Sequence, residues 1–321
     1  MELENVALES QKKKDENDKS FVQKIEILLK AKKNLILTGA PGTGKTYIAK
    51  QVAASIVSDG TKKWSELDDS QRGQVGFVQF HPSFDYTDFV EGLRPDKDGN
   101  FSHQDGIFKE FCKKAIKNTE DNVIFIIDEI NRGELSKIFG ELFYSIEPDY
   151  RGVEGRVKTQ YINMVEDGDE FKEGFYIPEN VLIIGTMNDV DRGVEAMDFA
   201  IRRRFAWKEV SAEESALNMG VSGTALAKMN AVNAVIKSKL GAAYCIGGAY
   251  FRKLNGDDFG ELWDNHLCGI VTEYFRGEPE AEARIAEIKV AYDAAEEKKP
   301  DTASDSENTE TSEPESKPSA E

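Results

Sequence analysis

Cysteine, histidine and long apolar runs are all scarce in this chain of 321 residues. The three cysteines form no C-x-x-C pair, which argues against a disulfide framework and against a zinc site. The three histidines are scattered and predict no metal cluster. No apolar run approaches the roughly 20 residues that a membrane-spanning helix needs, and no hydrophobic signal segment follows the first lysines. We therefore expect a cytoplasmic protein that does not enter a membrane.

Positive charge is also in short supply. Lys and Arg number 41 against 59 Asp and Glu, so the formal net charge is −18. A surface this acidic repels the phosphate backbone and makes the chain a poor non-specific binder of nucleic acid. Any contact with DNA would need a local basic patch or a partner subunit.

Short apolar runs alternate with helical patterns over the first two thirds of the chain. Strands are expected over residues 34–37, 75–80, 123–127 and 181–184, with an edge strand over 205–210. Helices are expected between them, for example over 106–117 and 135–146. This alternation predicts an α/β fold with a parallel five-stranded sheet covered on both faces.

The rest of the chain divides by composition. Residues 1–20 are polar and suggest a flexible N-terminal arm, and residues 151–178 suggest a β-hairpin insertion. From residue 211 to 298 only helical patterns occur, which predicts a small all-helical domain. Residues 300–321 carry seven acids, one Lys and no large apolar side chain. Such a segment cannot bury enough surface to offset its ordering entropy, so a disordered acidic tail is expected over 299–321.

One segment matches the pattern G-x-x-x-x-G-K-[ST] between a predicted strand and a predicted helix. It consists of Gly39, Ala40, Pro41, Gly42, Thr43, Gly44, Lys45 and Thr46. Glycines let backbone N–H groups converge on phosphate oxygens, and the start of a helix favours an anion. Lys45 would add positive charge at the β- and γ-phosphates, and Thr46 would bind Mg²⁺. An ordinary Gly/Pro turn is the weaker alternative.

Two acids, Asp128 and Glu129, end the apolar run at 123–127. The carboxyl ends of parallel strands face the ligand crevice. Asp128 can therefore hold Mg²⁺, and Glu129 can orient and deprotonate an attacking water. The alternative is a pair of acids that solvate a strand end and cap the next helix.

Two polar features follow the predicted strand at 181–184. Asn188 is suited to contact the γ-phosphate or the attacking water, although a turn-forming Asn is favoured on its own evidence. The run of Arg202, Arg203 and Arg204 ends a predicted helix, where cations complement the helix dipole. The same arginines are suited to reach a neighbouring subunit's nucleotide, with Arg132 and Arg192 as lesser candidates.

In this order the motifs resemble those of the AAA+ family, and within it the GTPase motor subunits of 5-methylcytosine-specific restriction systems, the McrB group. The similarity is carried by residues 34–46 (NLILTGAPGTGKT), 80–93 (FHPSFDYTDFVEGL), 126–147 (IIDEINRGELSKIFGELFYSIE) and 185–205 (GTMNDVDRGVEAMDFAIRRRF). With weaker support downstream it spans about residues 21–277. In the segment 80–93, Asp85 is expected to cap a helix beginning at Tyr86.

The resemblance implies an αβα nucleotide domain over residues 21–210 and a helical lid over 211–298, assembled as a homo-hexamer. It implies that Lys45 and Thr46 bind phosphate and Mg²⁺, that Asp128 and Glu129 are the Walker B pair, and that Asn188 is the sensor. It places Arg203 and Arg204 in the arginine-finger region. It also implies a McrC-like nuclease subunit as partner, with DNA contacted indirectly or through the ring pore.

Three departures from the family pattern leave alternatives open. The family has a guanine-nucleotide signature resembling M-N-T-A-D-R-S, and this chain reads MNDVDRG from residue 187. ATP and GTP are therefore equal candidates for the substrate. A lid pattern resembling I-G-H-S-Y-F reads IGGAYF from residue 246 and lacks its His and Ser. About 20 residues precede the motor region, so recognition of a DNA target is expected in another subunit. A protein-remodelling AAA+ ATPase of the MoxR or dynein-related type is the alternative function, and a scaffold without turnover is a third.

Overall fold

A computed structural model describes residues 21–190, 199–252 and 258–295. The expected arm over residues 1–20 and the expected acidic tail over 299–321 lie outside the described residues. So does Arg192, which falls in the gap after Val190.

Five strands form the central sheet, and two more form a separate hairpin. The strands are β1 (Asn34–Thr38), β2 (Val75–Gln79), β3 (Glu91–Pro95), β4 (Phe101–Asp105), β5 (Val123–Asp128), β6 (Val181–Thr186) and β7 (Ala206–Glu209). The sheet order is β2-β5-β6-β1-β7, and every neighbouring pair is parallel. The predicted α/β class with a parallel five-stranded sheet is confirmed, including the edge position of β7.

The three central strands are apolar because they are covered on both faces. All five residues of β1 and all six of β6 are buried, as are the first five of β5. Strands buried on both sides read as continuous apolar runs, which is why the sequence displays them so clearly. Their carboxyl ends lie side by side, and the polar groups of the candidate site follow there.

Helices and short turns connect the strands. They are α1 (residues 21–32), α2 (Lys45–Val57), α3 (Asp69–Gly73), α4 (Tyr86–Phe89), α5 (Ile107–Ile116), α6 (Leu135–Phe139), α7 (Leu142–Ser145), α8 (Phe199–Arg202), α9 (Ala212–Met219), α10 (Gly223–Leu240), α11 (Ala249–Arg252), α12 (Phe259–Leu262), α13 (Cys268–Tyr274) and α14 (Ala281–Ala294). A π-helical turn, Trp263–Leu267, joins α12 to α13. The predicted cap of α4 is confirmed, since the Asp85 carboxylate accepts from the N–H groups of Thr87 and Asp88.

One predicted helix is interrupted. The pattern over 135–146 predicts a single helix, but the chain forms α6 and α7 with Gly140 between them. Gly140 has φ 48° and ψ −128°, a conformation outside the helical region that glycine adopts without strain, and it ends α6.

Three apolar cores organise the described residues. One lies between the sheet and α1 and α2, and a second lies on the opposite sheet face under α5, α6 and α7. The third contains only residues between 212 and 292 and joins α9, α10, α13 and α14. After Ser211 the described residues form helices and no strand, which agrees with the expected helical C-terminal part.

The hairpin lies at a place that the sequence did not predict. Strands β3 and β4 pair antiparallel between α4 and α5. Their sequences, EGLRP and FSHQD, lack the alternation of apolar and polar residues that indicates a strand. At the expected hairpin over 151–178, in contrast, the structure has one antiparallel bridge, Val157 to Phe175, and otherwise short 3₁₀ turns.

A buried ion pair fixes the new hairpin against α5. Glu91 and Lys109 both have fully buried side chains, and the Lys109 ammonium donates to the Glu91 carboxylate and also pairs with Asp105 at 2.9 Å. Burial by itself raises the pKa of Glu91, but the hydrogen bond and charge of Lys109 outweigh it and hold that pKa below its ordinary value. The backbone N–H of Tyr161, in the insertion, donates to the same carboxylate at 3.0 Å.

This cluster is not a metal site. Glu91, His103 and Asp105 offer ligand atoms within 4.8 Å of one another. The Lys109 ammonium already bonds two of the three side chains, so the positive charge that a metal would bring is supplied by the chain itself.

Within the described ranges no helix is both long and apolar enough to cross a bilayer.

Replacing Lys109 by Met should destabilise the protein by about 3 kcal/mol, because the variant leaves a buried carboxylate without its counter-charge. Glu91 must then protonate or recruit water, and the stabilisation that its lowered pKa provides above the ordinary Glu range disappears. Denaturant unfolding at pH 7 measures the change. Lys30→Met, which breaks an ion pair with Glu26 at a half-exposed position, is the control and should cost about 0.5 kcal/mol or less. Equal effects of the two substitutions would contradict a special role for the buried pair.

Candidate functional site

The glycine loop after β1 is built to present N–H groups. Gly39, Gly42 and Gly44 have φ of 145°, 76° and 83°, conformations that other residues adopt only with strain. Gly44 is the N-cap of α2 and brings no side-chain cap to its first turn. The first amides of α2 therefore face the loop without a side-chain acceptor from their cap, which is the arrangement of an anion site.

Lys45 is buried and folds back over this loop. Its ammonium donates to the carbonyl oxygens of Gly39 at 2.9 Å and Ala40 at 3.0 Å. The hydroxyl of Thr43 donates to the same Ala40 carbonyl at 3.0 Å. The loop carbonyls are thus tied down by side chains of the loop itself, and the positive charge is held at its mouth.

Asp128 joins three elements through one carboxylate oxygen. The hydroxyls of Thr46 and Thr186 both donate to its Oδ1, each at 2.6 Å. Thr46 lies in the first turn of α2, Asp128 ends β5 and Thr186 ends β6, so the first turn of the loop helix is connected to these two strands. A hydroxyl and a carboxylate in contact are oxygen ligands of the kind that Mg²⁺ prefers, and the residues present therefore fit that ion.

Glu129 has a strained backbone and a fixed side chain. Its φ of 52° is left-handed, which costs a non-glycine residue on the order of 1 kcal/mol. Its N–H donates to the Thr186 hydroxyl at 3.3 Å. One carboxylate oxygen accepts from the Asn188 amide at 2.9 Å, and the other pairs with Arg132 at 3.2 Å. Strain of this kind persists only where surrounding contacts hold it, and it is commonest at functional sites.

Three residues of this constellation escaped the sequence analysis as site residues. Thr186 bridges the two acids, Asn131 donates its amide to the Asn188 carbonyl at 3.3 Å, and Asp189 lies by the loop. Desolvation raises the pKa of Asp189, while the charge of Lys45 and a bond to the Gly39 backbone lower it. The position of Thr186 follows from the pairing of β5 with β6. It follows Gly185, which pairs with Ile127, so the strand register alone sets it level with Asp128.

The backbone of the arginine run lies at the other end of the strands from the glycine loop, although the charge of Arg202 acts on Asp189. Strand β7 pairs parallel with β1, from Leu35 opposite Ala206 to Thr38 opposite Glu209. The arginines precede β7, whereas the glycine loop follows β1. At about 3.3 Å per residue, the two ends of a five-residue strand are roughly 13 Å apart. The structure therefore brings the loop, Asp128, Glu129 and Asn188 together and places the backbone of Arg203 and Arg204 at the opposite, amino end of the strands.

The arginines differ in how they are held. Arg204 is 12 % exposed at its side chain and pairs with Glu147 at 3.1 Å. Arg202 lies over the ring of Trp207, 4.8 Å from its centroid. Arg203 is exposed, and its side chain has no ion pair within the described part of the chain. Of the two arginines expected in the finger region, Arg203 is the one oriented toward solvent.

Comparison with known proteins gives a consistent picture. A family model described as an AAA domain of the dynein-related subfamily matches residues 34–205, more than half of the chain. The Type IV methyl-directed restriction enzyme EcoKMcrB subunit of Escherichia coli K12 is 39 % identical, over 79 % of this chain and 57 % of the relative. The Type II restriction enzyme BsuMI component YdiS of Bacillus subtilis 168 is 28 % identical, over 62 % and 63 % respectively. The chain thus spans less than two thirds of the length of either relative.

Solved structures are more distant. A protein from Cytophaga hutchinsonii aligns over 88 % of this chain and 76 % of its own, with 17 % identity and a TM-score of 0.35. PCH-2 of C. elegans aligns over 86 % and 67 %, with 14 % identity and a TM-score of 0.32. These likenesses are too low to carry an argument. The family match over residues 34–205 carries it instead: the chain belongs to the AAA family of nucleoside triphosphatases, in its dynein-related subfamily.

Proposed function

We propose that the protein hydrolyses ATP or GTP with the help of Mg²⁺, and that water attacks the γ-phosphate beside Glu129. The observation that carries this proposal is the fixed Glu129 carboxylate, held by Asn188 and Arg132 next to the Asp128 that contacts Thr46. A carboxylate in that position can orient a water and accept its proton.

The phosphates would lie in the loop of residues 39–46. The N–H groups of its glycines and of the first turn of α2 contact the oxygens, and the Lys45 ammonium exchanges the loop carbonyls for the phosphates. Thr46 and Asp128 would hold Mg²⁺, which when bound offsets the negative charge of the phosphates. Asn188 would act as the sensor, because its amide contacts Glu129. A contact of Asn188 with the γ-phosphate would connect that phosphate to the Glu129 carboxylate.

The other half of the site comes from a neighbouring subunit in this proposal. Arg203 precedes β7, at the end of the strands opposite its own loop, so in this proposal the nucleotide that it serves belongs to another copy of the chain. A homo-hexameric ring, in which each copy offers one loop and one arginine, meets this requirement. We also propose that the chain divides near residue 210 into a nucleotide domain, 21–210, and a helical lid, 211–298.

The biological role that we propose is the motor of a restriction-like defence complex. Both curated relatives are components of restriction enzymes, and the stronger similarity is to a methyl-directed one. A McrC-like nuclease subunit would be the partner. Because the chain carries −18 net charge, that partner or a local lining of the ring pore would supply the affinity for DNA. The two restriction relatives favour this role over protein remodelling.

Purified protein should hydrolyse at least one of ATP and GTP, and chelation of Mg²⁺ by EDTA should abolish the release of phosphate. Side-by-side steady-state assays with both nucleotides measure this and identify the preferred base. Excess Mg²⁺ added after EDTA should restore the rate. Turnover that continues in EDTA would contradict the proposed use of Thr46 and Asp128.

Glu129→Gln should retain nucleotide binding and lose about 10²- to 10⁴-fold in kcat, because an amide accepts no proton from water. The substitution keeps the size of the side chain and an oxygen for the Asn188 amide. Glu134→Gln, an acid that pairs with Lys137 nearby in sequence, is the matched control and should behave as wild type. Wild-type turnover in Glu129→Gln would remove Glu129 from the role of base.

Arg203→Ala should lower turnover by about 10³-fold or more without weakening nucleotide binding, since an arginine finger contributes about 10³ to 10⁵ in rate. Arg276→Ala, at an exposed arginine that pairs with Glu273, is the control and should have little effect. Mixing Arg203→Ala with Lys45→Ala subunits should restore part of the activity, because the second variant still donates Arg203 to the intact loop of the first. Mixed rings without any recovered turnover would argue against a finger that acts between subunits.

A further inference from the structure

A short segment of the helical part, residues 246–250, lies directly on the phosphate-binding loop. We call it the lid segment. The backbone N–H of Gly247 donates to the carbonyl of Pro41, and the N–H of Ala249 donates to the carbonyl of Gly42, both at 3.0 Å. The contact is therefore made by main-chain groups on both sides, and it joins residues more than 200 positions apart.

The contact has no spare room. A Cβ atom added to Gly247 would lie 2.2 Å from the carbonyl carbon of Gly42, and one added to Gly42 would lie 2.4 Å from the ring of Tyr250. Distances this short do not occur for real side chains, and Gly42 also has φ 76°. Glycine is required at position 247 by the approach of two backbones, and at position 42 by its positive φ and by the Tyr250 ring.

The lid segment is itself rigidly held by the helices behind it. The fully buried Ser215, on α9, accepts from the N–H of Gly248 at 3.0 Å. The buried Asn233, on α10, bonds both backbone groups of Ile246, accepting from its N–H at 2.7 Å and donating to its carbonyl at 2.9 Å. Displacement of α9 or α10 would therefore be transmitted to the phosphate loop.

Peptide geometry makes this contact relevant to phosphate binding. In a trans peptide unit the C=O and the next N–H point in opposite directions. With the carbonyls of Pro41 and Gly42 bound to the lid segment, the N–H groups of Gly42 and Thr43 point away from it, into the loop. Lys45 holds the preceding two carbonyls, of Gly39 and Ala40, from the other side. The carbonyls of Pro41 and Gly42 are thus bound on the side away from the space that a phosphate would fill.

We propose that the lid segment is a positioning element for the phosphate loop: it fixes the direction of the Gly42 and Thr43 N–H groups, so that docking of the helical part sets the affinity for the nucleotide phosphates. The inference rests on the proposed nucleotide binding at this loop. It adds a role for Gly247 and Ser215, which touch no reacting atom.

Gly247→Ala tests the proposal, because its methyl group separates the two backbones. Binding of fluorescent N-methylanthraniloyl ATP and GTP, with Mg²⁺, should weaken about tenfold or more. For the nucleotide that is hydrolysed, KM should rise while kcat changes less than threefold. Gly269→Ala is the matched control, since Gly269 lies in α13 with open space around its Cα. Ser215→Ala adds no atom and should weaken binding about two- to threefold in the same direction.

Amide exchange of the nucleotide-free protein reports the contact by a second route. Peptides that cover residues 39–46 and 245–252 should exchange several-fold faster in Gly247→Ala than in wild type, and unchanged in Gly269→Ala. Faster exchange with unchanged affinity for both nucleotides would overturn the positioning role alone. Failure of the wild type to bind either nucleotide would instead overturn the proposed function, and the positioning role with it.

Discussion

The site depends on the two hydrogen bonds that the Asp128 carboxylate accepts from Thr46 and Thr186. The sheet order sets β6 between β5 and β1, so the acid and the glycine loop are separated by two strand spacings, about 10 Å. Thr46 closes that gap from the first turn of α2, the helix that follows the loop. Thr186, at the end of β6 itself, donates to the same oxygen. One carboxylate thereby joins the ends of two strands and the first turn of a helix.

The same sheet separates two chemical functions. Strand β1 ends in the phosphate loop and begins at Asn34, whose buried amide donates to the carbonyls of Ile146 and Arg204. Its oxygen accepts from Arg151, whose burial lowers the pKa of that guanidinium to about 10. The segment that carries Arg203 is thus anchored to the start of the strand that carries the loop at its end. A rigid, fully buried strand keeps those two ends at a constant separation, as a ring of identical subunits requires.

The sequence predicted the parts of this structure that depend on local pattern. Buried strands appear as apolar runs, the loop as spaced glycines and the α4 cap as an Asp before a short helix. The β3–β4 hairpin had no such signal, because a buried pair of opposite charges, Glu91 with Lys109, holds it in place of an apolar face. The left-handed Glu129 and the bonds to Thr186 and Asn131 are tertiary facts. They follow from strand order, which no single segment encodes.

In the proposed ring, two contacts would act on each phosphate loop, one from the lid segment and one from a neighbour's Arg203. The lid segment acts on the outer, carbonyl side of the loop, and in the proposed ring a neighbour's Arg203 acts on the phosphate side. The first changes how the N–H groups are aimed, so it alters binding. The second compensates charge that develops during transfer, so it alters rate. Because the two act on opposite faces of one loop, a ring built from such subunits can couple nucleotide binding to its own helical part and hydrolysis to its neighbour, without either signal passing through the other.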